Sequence, residues 1–397
     1  MKTGLSASKY IRNNKRTCFV LILALGLTFM TMYVINYLMM VTNESLAPVC
    51  LELPKKITYA DLTPESMGID LANTPQEERN QIIQETRQSI VDRLKKINGI
   101  RNAYYTQVIN TSYFAVLGGV SYEFPLLSPE DIPEVLDHVG AKLVEGTMPA
   151  GDGELLVDSC IMKNSNLSIG DWFMESAYGK VFKVTGVIES DYRFCIGTPN
   201  GFNNSGWYFV ILTDEAHSDF SKIAEELGIK TSDLDIIEDQ PGYKAFYHDE
   251  VESVSSTVIF AILMVVMIFL AISVLVAYIS FMRNRANEYC LYTSIGFSKR
   301  EVYGMIMREM GINFGSGILL GVICAALAMW LLDLLLIHPQ GLTSGWWYPE
   351  HFLSIIAAFT AIIGLLQIPI LITVHNIRTI DMIEARHRTE RNELCLR

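Results

Sequence analysis

Four stretches of the chain run apolar without one charged residue: 18–41, 253–282, 310–332 and 352–374. A membrane span needs roughly 20 such residues, because the hydrocarbon core is about 30 Å thick and a helix rises about 1.5 Å per residue. Lipid offers no partner to free backbone N–H and C=O groups, so each stretch is expected to be a helix. Between the first and second stretches the pattern changes. Apolar residues there come in short groups, some at helical spacing and some alternating with polar ones.

That middle region, 42–252, predicts mixed strands and helices. In "TPQEERNQIIQETRQSIVDRLKKINGI", Thr74, Pro75 and Glu77 form a capping box, and Ile83, Ile90, Leu94 and Ile97 recur at helical spacing up to Asn98-Gly99. The strand "IRNAYYTQVIN" follows. Further on, "GELLVDSCI" reads as a strand entering a helix, "LSIGDWFMES" carries a Gly-Asp turn, and "KVFKVTGVIES" and "GWYFVILTDEAH" read as strands. "DFSKIAEELGI" reads as a helix, and "GYKAFYHDEVESVSSTV" as a helix feeding the second span. A matching extension of the first span beyond Met40 would make a two-helix stalk. The fold class expected is a membrane protein: four transmembrane α-helices with an α+β domain between the first and second.

Residues 283–309 should be a polar connector, yet they keep Tyr289, Leu291, Tyr292, Ile295, Phe297, Val302 and Ile306. Glu288, Tyr289, Tyr292 and Ile295 lie along successive turns of one helix. Gly296 stands where a left-handed C-cap residue is wanted. Ser298 opens a second helix, with Glu301 completing a capping box and Phe297 and Val302 at hydrophobic-staple spacing. The pattern predicts helix, tight turn, helix, both arms continuous with membrane spans. Such a segment can serve as a lever pressed from the cytoplasm, or rest in lipid headgroups as an interfacial helix.

Charge supplies the orientation. The formal net charge is -12 although 50% of residues are hydrophobic. Residues 1–17 carry five basic residues and no acidic one, and 283–309 and 375–397 each carry more basic than acidic residues. Residues 43–252 hold 16 basic and 34 acidic residues. The positive-inside rule then puts 1–17, 283–309 and 375–397 in the cytoplasm, and 42–252 and the loop 333–351 outside. Trp330, Trp346, Trp347 and Tyr348 gather near the outer boundary, as interfacial aromatics do. The apolar core of the first stretch is too long for a signal peptide, and no small-residue cleavage site follows it. The setting is a cell membrane crossed several times.

Candidate chemistry is sparse. There is no GxxxxGK[ST], HExxH or GxSxG, and His217 and His248 lack metal-ligand spacing. No catalytic residue, metal site or bound cofactor is expected, and no nucleic-acid partner. Cys50, Cys160 and Cys195 fall outside at wide spacing, which makes no disulfide framework. The third span carries Gly311/Gly315 and Gly317/Gly321, two GxxxG pairs that permit close helix packing, within one chain or between two.

"RNRANEYCLYTSIGFSKREVYGMIMREM" resembles the signature of FtsX-like ABC permeases, with Glu288, Ile295, Gly296 and Ser298 at the matching positions. Cys290 and Tyr292 depart from it. "LVEGTMPAGDGELLVDSCIMKNSNLSIGDWF" followed by "FKVTGVIES" is similar to the external domain of MacB-type members, at Glu145-Gly146, Pro149, Glu154, Gly170-Asp171 and Gly186-Val187. The resemblance implies a permease subunit driven by a separate cytoplasmic ABC ATPase dimer, which would itself bind ATP. It implies pairing with a second copy or a paralogue, contact with membrane lipids, and export or extraction of a peptide, lipoprotein or lipid. The alternative it leaves open is a regulator of a cell-wall hydrolase. The ATPase-coupling residues it implies are Glu288, Tyr289, Tyr292, Ile295, Gly296, Phe297, Ser298, Lys299 and Arg300. A short C-terminal helix with Ile377, Ile380, Ile383 and Glu384 is implied beside the same partner.

Overall fold

The computed structural model of the protein describes residues 11, 15–53, 56–61, 75–176, 179–201, 207–213, 225, 228, 235–236, a scatter of positions between 265 and 282, 285–345 and 349–376. The chain divides into two compact units. One comprises Met1–Tyr37, Ile259–Leu332 and Trp346–Arg397, the other Leu38–Val258 and Asp333–Gly345.

In chain order the elements are as follows. Helix α1 (Lys15–Ala47) ends in a π-helical turn (Pro48–Glu52) and leads to β1 (Ile57–Asp61). Helix α2 (Gln76–Leu94) precedes β2 (Ile100–Phe114) and β3 (Gly119–Leu126). Then come α3 (Ile132–Val139), β4 (Lys142–Gly146), β5 (Glu154–Asp158) and α4 (Ser159–Asn164). β6 (Trp172–Ser176), β7 (Gly179–Glu189), β8 (Cys195–Gly197), β9 (Tyr208–Thr213) and the short β10 (Asp235–Ile236) complete the sheet. The C-terminal part holds α5 (Ala286–Ser294), α6 (Lys299–Leu332) with a π-helical continuation (Asp333–Ile337), and α7 (Pro349–Asn376).

In the second unit the strand order is β10-β1-β9-β2-β3-β8-β5-β7-β4, with β6 beside β7. Strand β2 does two jobs. Its first half, from Ile100 to Thr106, pairs antiparallel with β9, and its second half, from Gln107 to Phe114, pairs antiparallel with β3. The run Phe209-Val210-Ile211-Leu212 in β9 is continuously apolar because both faces are covered. Val210 and Leu212 join Tyr59, Tyr104 and Val108 under α3 residues Ile132, Val135 and Leu136. Phe209 and Ile211 face the opposite way, onto Ile90, Val91 and Leu94 of α2. Burying each such side chain contributes roughly 1.5–3 kcal/mol.

Several expectations need adjustment. Helix α2 begins at Gln76 with Pro75 in the cap position, and Thr74 lies outside the described residues. So do the helix expected at 242–258, all of the helix expected at 219–229 except Glu225 and Gly228, His217, His248, and the tail beyond Asn376 with Ile377, Ile380, Ile383 and Glu384. The described positions between 265 and 282 are helical, but the full second span is not described. Among the described residues two helices are long and apolar enough to cross a membrane, Cys18–Ala47 and Lys299–Ile337. Cys160 and Cys195 are both free thiols. Burial pushes the Cys195 thiol up to about 12, which leaves it inert.

In the first unit α1 and α6 touch closely at one of the two glycine pairs. A Cβ on Gly317 would sit 2.6 Å from Leu25 Cβ, and one on Gly321 would sit 2.7 Å from Phe29 Cβ. Gly311 and Gly315 have nothing within 4 Å, so within this chain they take no part in that contact.

Among the described residues of the second unit, Asp158 is the fully buried acid. It caps α4 by accepting from the Cys160 N–H at 2.9 Å, accepts from Ser190 Oγ at 3.3 Å, and lies 3.9 Å from the Arg193 guanidinium. Burial outweighs these partners and raises its carboxyl to about 6. Between the ordinary carboxylate value and about 6 the folded protein therefore holds a proton that the unfolded chain has released. The stability this gives is present at low pH and lost as pH rises through about 6. The total is about 3 kcal/mol. Thermal unfolding of the purified protein should show that loss between about pH 4 and 6, and Asp158→Asn should flatten it. An unchanged pH profile in the variant would remove Asp158 as its source.

Candidate functional site

Local hydrogen bonding sets the course of the segment joining α5 to α6. At the end of α5, Ile295 N–H bonds to Leu291 O, Gly296 N–H to Thr293 O at 3.1 Å, and Phe297 N–H to Tyr292 O at 3.1 Å. The last two bonds define a Schellman motif, in which the residue after the cap must be left-handed. Gly296 has φ 98°, a conformation that costs a β-branched residue about 1–2 kcal/mol. The motif's accompanying apolar contact is present: the rings of Tyr292 and Phe297 meet edge to face, centroids 6.3 Å apart.

One residue later the next helix is capped. Ser298 N–H donates to Glu301 Oε2 at 2.8 Å, Ser298 Oγ–H donates to the same oxygen at 2.8 Å, and Glu301 N–H donates to Ser298 Oγ at 3.3 Å. This is the reciprocal capping box that the spacing predicts. Phe297 and Val302, the staple pair, belong to the same apolar cluster, Val302 with no exposure at all. A C-cap motif and an N-cap motif thus share a three-residue turn, which sets the angle between α5 and α6.

A second bond fixes the other end of α5. Arg285, just before the helix, is almost wholly buried. Its Nε donates to Glu288 Oε2 at 3.1 Å, and its Nη1 donates to Glu309 of α6. The guanidinium lies 5.0 Å from the Tyr289 ring centroid and 5.5 Å from that of Phe281, within cation–π range. Glu309 is buried too, and one turn further along α6 both amide atoms of Asn313 are buried without a partner among the described residues. Lys299, at the start of α6, donates to the His375 carbonyl at 2.8 Å, near the end of α7. A cation there meets the negative end of that helix's dipole.

The predicted coupling residues divide by exposure. Tyr289 is buried against Arg285 and serves the interior of the segment. Tyr292 and Phe297 are half-buried and hold the turn. Glu288, Ile295, Gly296, Ser298, Lys299 and Arg300 are exposed, and Leu291 joins them at 46% exposure beside Ile295 at 63%. The outward face is therefore two apolar side chains next to two cations. Sequence reasoning passed over the Arg285–Glu309 pair. Its signal is faint: Glu309 follows Arg308 in the charged first part of α6, where a glutamate does not by itself call for a buried partner.

Breaking this pair from one side should cost about 3–5 kcal/mol, because the remaining charge stays buried and unpaired. Glu309→Gln should lower the melting temperature of the protein in detergent, while Arg285→Met combined with Glu309→Leu should recover most of the loss. A Glu309→Gln variant melting with the wild type would show that the pair bears no load.

Residues 258–382 match the family model described as FtsX-like permease C-terminal. No curated protein matches the chain. Among solved structures, the periplasmic region of MacB from Actinobacillus actinomycetemcomitans is similar at 14% identity, covering 51% of this chain and 96% of that one, with a TM-score of 0.27. The extracellular domain of the noncanonic ABC-type transporter YknZ from Gram-positive bacteria is similar at 13% identity, covering 46% and 98%, with a TM-score of 0.26. Over residues 258–382, then, the chain is similar to the FtsX-like permease C-terminal domain, the family that the motif around Gly296 led us to expect.

Proposed function

We propose that the chain is the membrane subunit of an ABC system in which a separate cytoplasmic ATPase presses on the α5–α6 turn. The external α+β unit moves in response and exports or extracts a peptide, a lipoprotein or a lipid. The observation that carries this reading is the doubly capped turn itself. A connector with no mechanical task has no need of a Schellman motif, a capping box and a buried ion pair within 25 residues. These features suit a stiff element whose exposed face, Leu291, Ile295, Lys299 and Arg300, receives a push at one end of α6. The sequence holds no phosphate-binding loop, so ATP belongs to the partner. Since ABC ATPases act in pairs, two permease chains, identical or paralogous, complete the assembly. In this reading both termini and the α5–α6 turn are cytoplasmic, and the acidic α+β unit is outside.

Gentle purification from native membranes should bring a P-loop ATPase with the wild-type chain. Leu291→Asp with Ile295→Asp should lose it, since two charges replace the apolar contact. Gly296→Val should retain the ATPase but lose most stimulation of its activity, because the turn angle changes while the surface remains. Capture of no ATPase in any mild detergent, together with retention of both variants in lipid, would favour an interfacial helix resting in headgroups instead. Recovery of a secreted cell-wall hydrolase on the external unit would point to the regulatory alternative.

A further inference from the structure

The stretch after α6 behaves unlike a simple connector. Asp333–Ile337 prolongs the helix, and residues 338–345 then form part of the external unit rather than a free loop. Ile337 and Leu342 are buried. Ser344 Oγ donates to Asp333 Oδ1 at 2.6 Å, closing the stretch on itself.

Three elements of the external unit grip residues 340–343. From the end of β2, the fully buried Tyr113 donates its hydroxyl proton to Gly341 O at 2.9 Å. From α4, Asn164 Nδ2 donates to Gln340 O at 3.2 Å. From the outer end of α1, Ser45 Oγ accepts from Thr343 N–H at 3.0 Å. Gly341 has φ 68°, and a Cβ there would lie 2.3 Å from the Cys160 carbonyl oxygen, so the chain passes against α4 at backbone contact distance. The gripping elements are tied to one another as well. Asn164 also exchanges hydrogen bonds with Phe114, donating to its carbonyl at 2.7 Å and accepting from its N–H at 3.1 Å. Thr42 Oγ1 accepts from Leu117 N–H at 3.3 Å, joining α1 to the β2–β3 turn.

We propose that residues 337–343 are a strap, anchored on Tyr113, Asn164 and Ser45, through which displacement of α6 is delivered directly to the base of the external unit. This rests on the mechanical reading of the preceding section and adds a second input beside α1. A helix that is pushed at its Lys299 end and fastened at its Ile337 end moves whatever holds that fastening. The anchoring side chains act as positioning residues: they touch the strap and no substrate.

Hydrogen exchange of the full chain with its captured ATPase, with and without a non-hydrolysable ATP analogue, tests the idea. In the wild type the nucleotide should change exchange in β2, α4 and residues 338–345 together. Gly341→Val, which cannot seat against Cys160, should keep the ATPase bound and lose the response in β2 and α4. Tyr113→Phe removes one hydroxyl and leaves the packing. It should show wild-type exchange without nucleotide outside residues 338–345, and a weakened response with it. A full nucleotide response in both variants, with residues 338–345 freely exchanging, overturns the strap while leaving the coupling reading intact. A wild-type chain that binds an ATPase yet shows no nucleotide response anywhere overturns the coupling reading and the strap with it.

Discussion

Arg285 and Glu309, an ion pair with almost no access to water, hold α5 against the first turns of α6 in one arrangement. Everything nearby is arranged around that bond. Tyr289 and Phe281 cover the guanidinium, and Glu288 accepts from its Nε. Such a pair is a poor source of net stability, since desolvating two charges offsets most of their attraction. Its use is geometric. Apolar side chains alone would let α5 roll over α6; a charged pair with specific hydrogen bonds does not.

The sequence made some of this legible and hid the rest for physical reasons. Gly296, Ser298 and Glu301 declare the turn because capping is local: each residue's partner lies within five positions. The strands at Ile100, Glu154, Gly179 and Tyr208 are equally readable, since strong β-formers lie between turn residues. The Arg285–Glu309 bond spans 24 positions and leaves no periodic trace. The strap was less legible still. Tyr113 and Gly341 stand 228 residues apart, and a tyrosine at the end of a strand gives no sign of donating to a loop between two apolar helices. The two glycine pairs of α6 make the same point differently. Their spacing is identical, yet only Gly317 and Gly321 meet α1, because the helix face that each pair occupies decides its contacts.

The second unit gathers many of its polar ties at one place. The end of β2, the short helix α4 and the outer turns of α1 are bound to one another and to residues 340–343. Asp158, which starts α4, is buried in the same neighbourhood and is held there by Cys160 N–H and Ser190. A region built this way responds to displacement as a block. The remainder of the unit joins apolar cores on both faces of β9 to polar ties of its own, such as those from Asn102 and Tyr104 of β2 to Glu134 of α3.

Strand β2 carries a consequence for how the second unit comes apart. Because one uninterrupted strand gives its first half to pairing with β9 and its second half to pairing with β3, the two sides of the sheet share one backbone. Opening either side frays the strand on which the other is built, so the two unfold as a single cooperative piece.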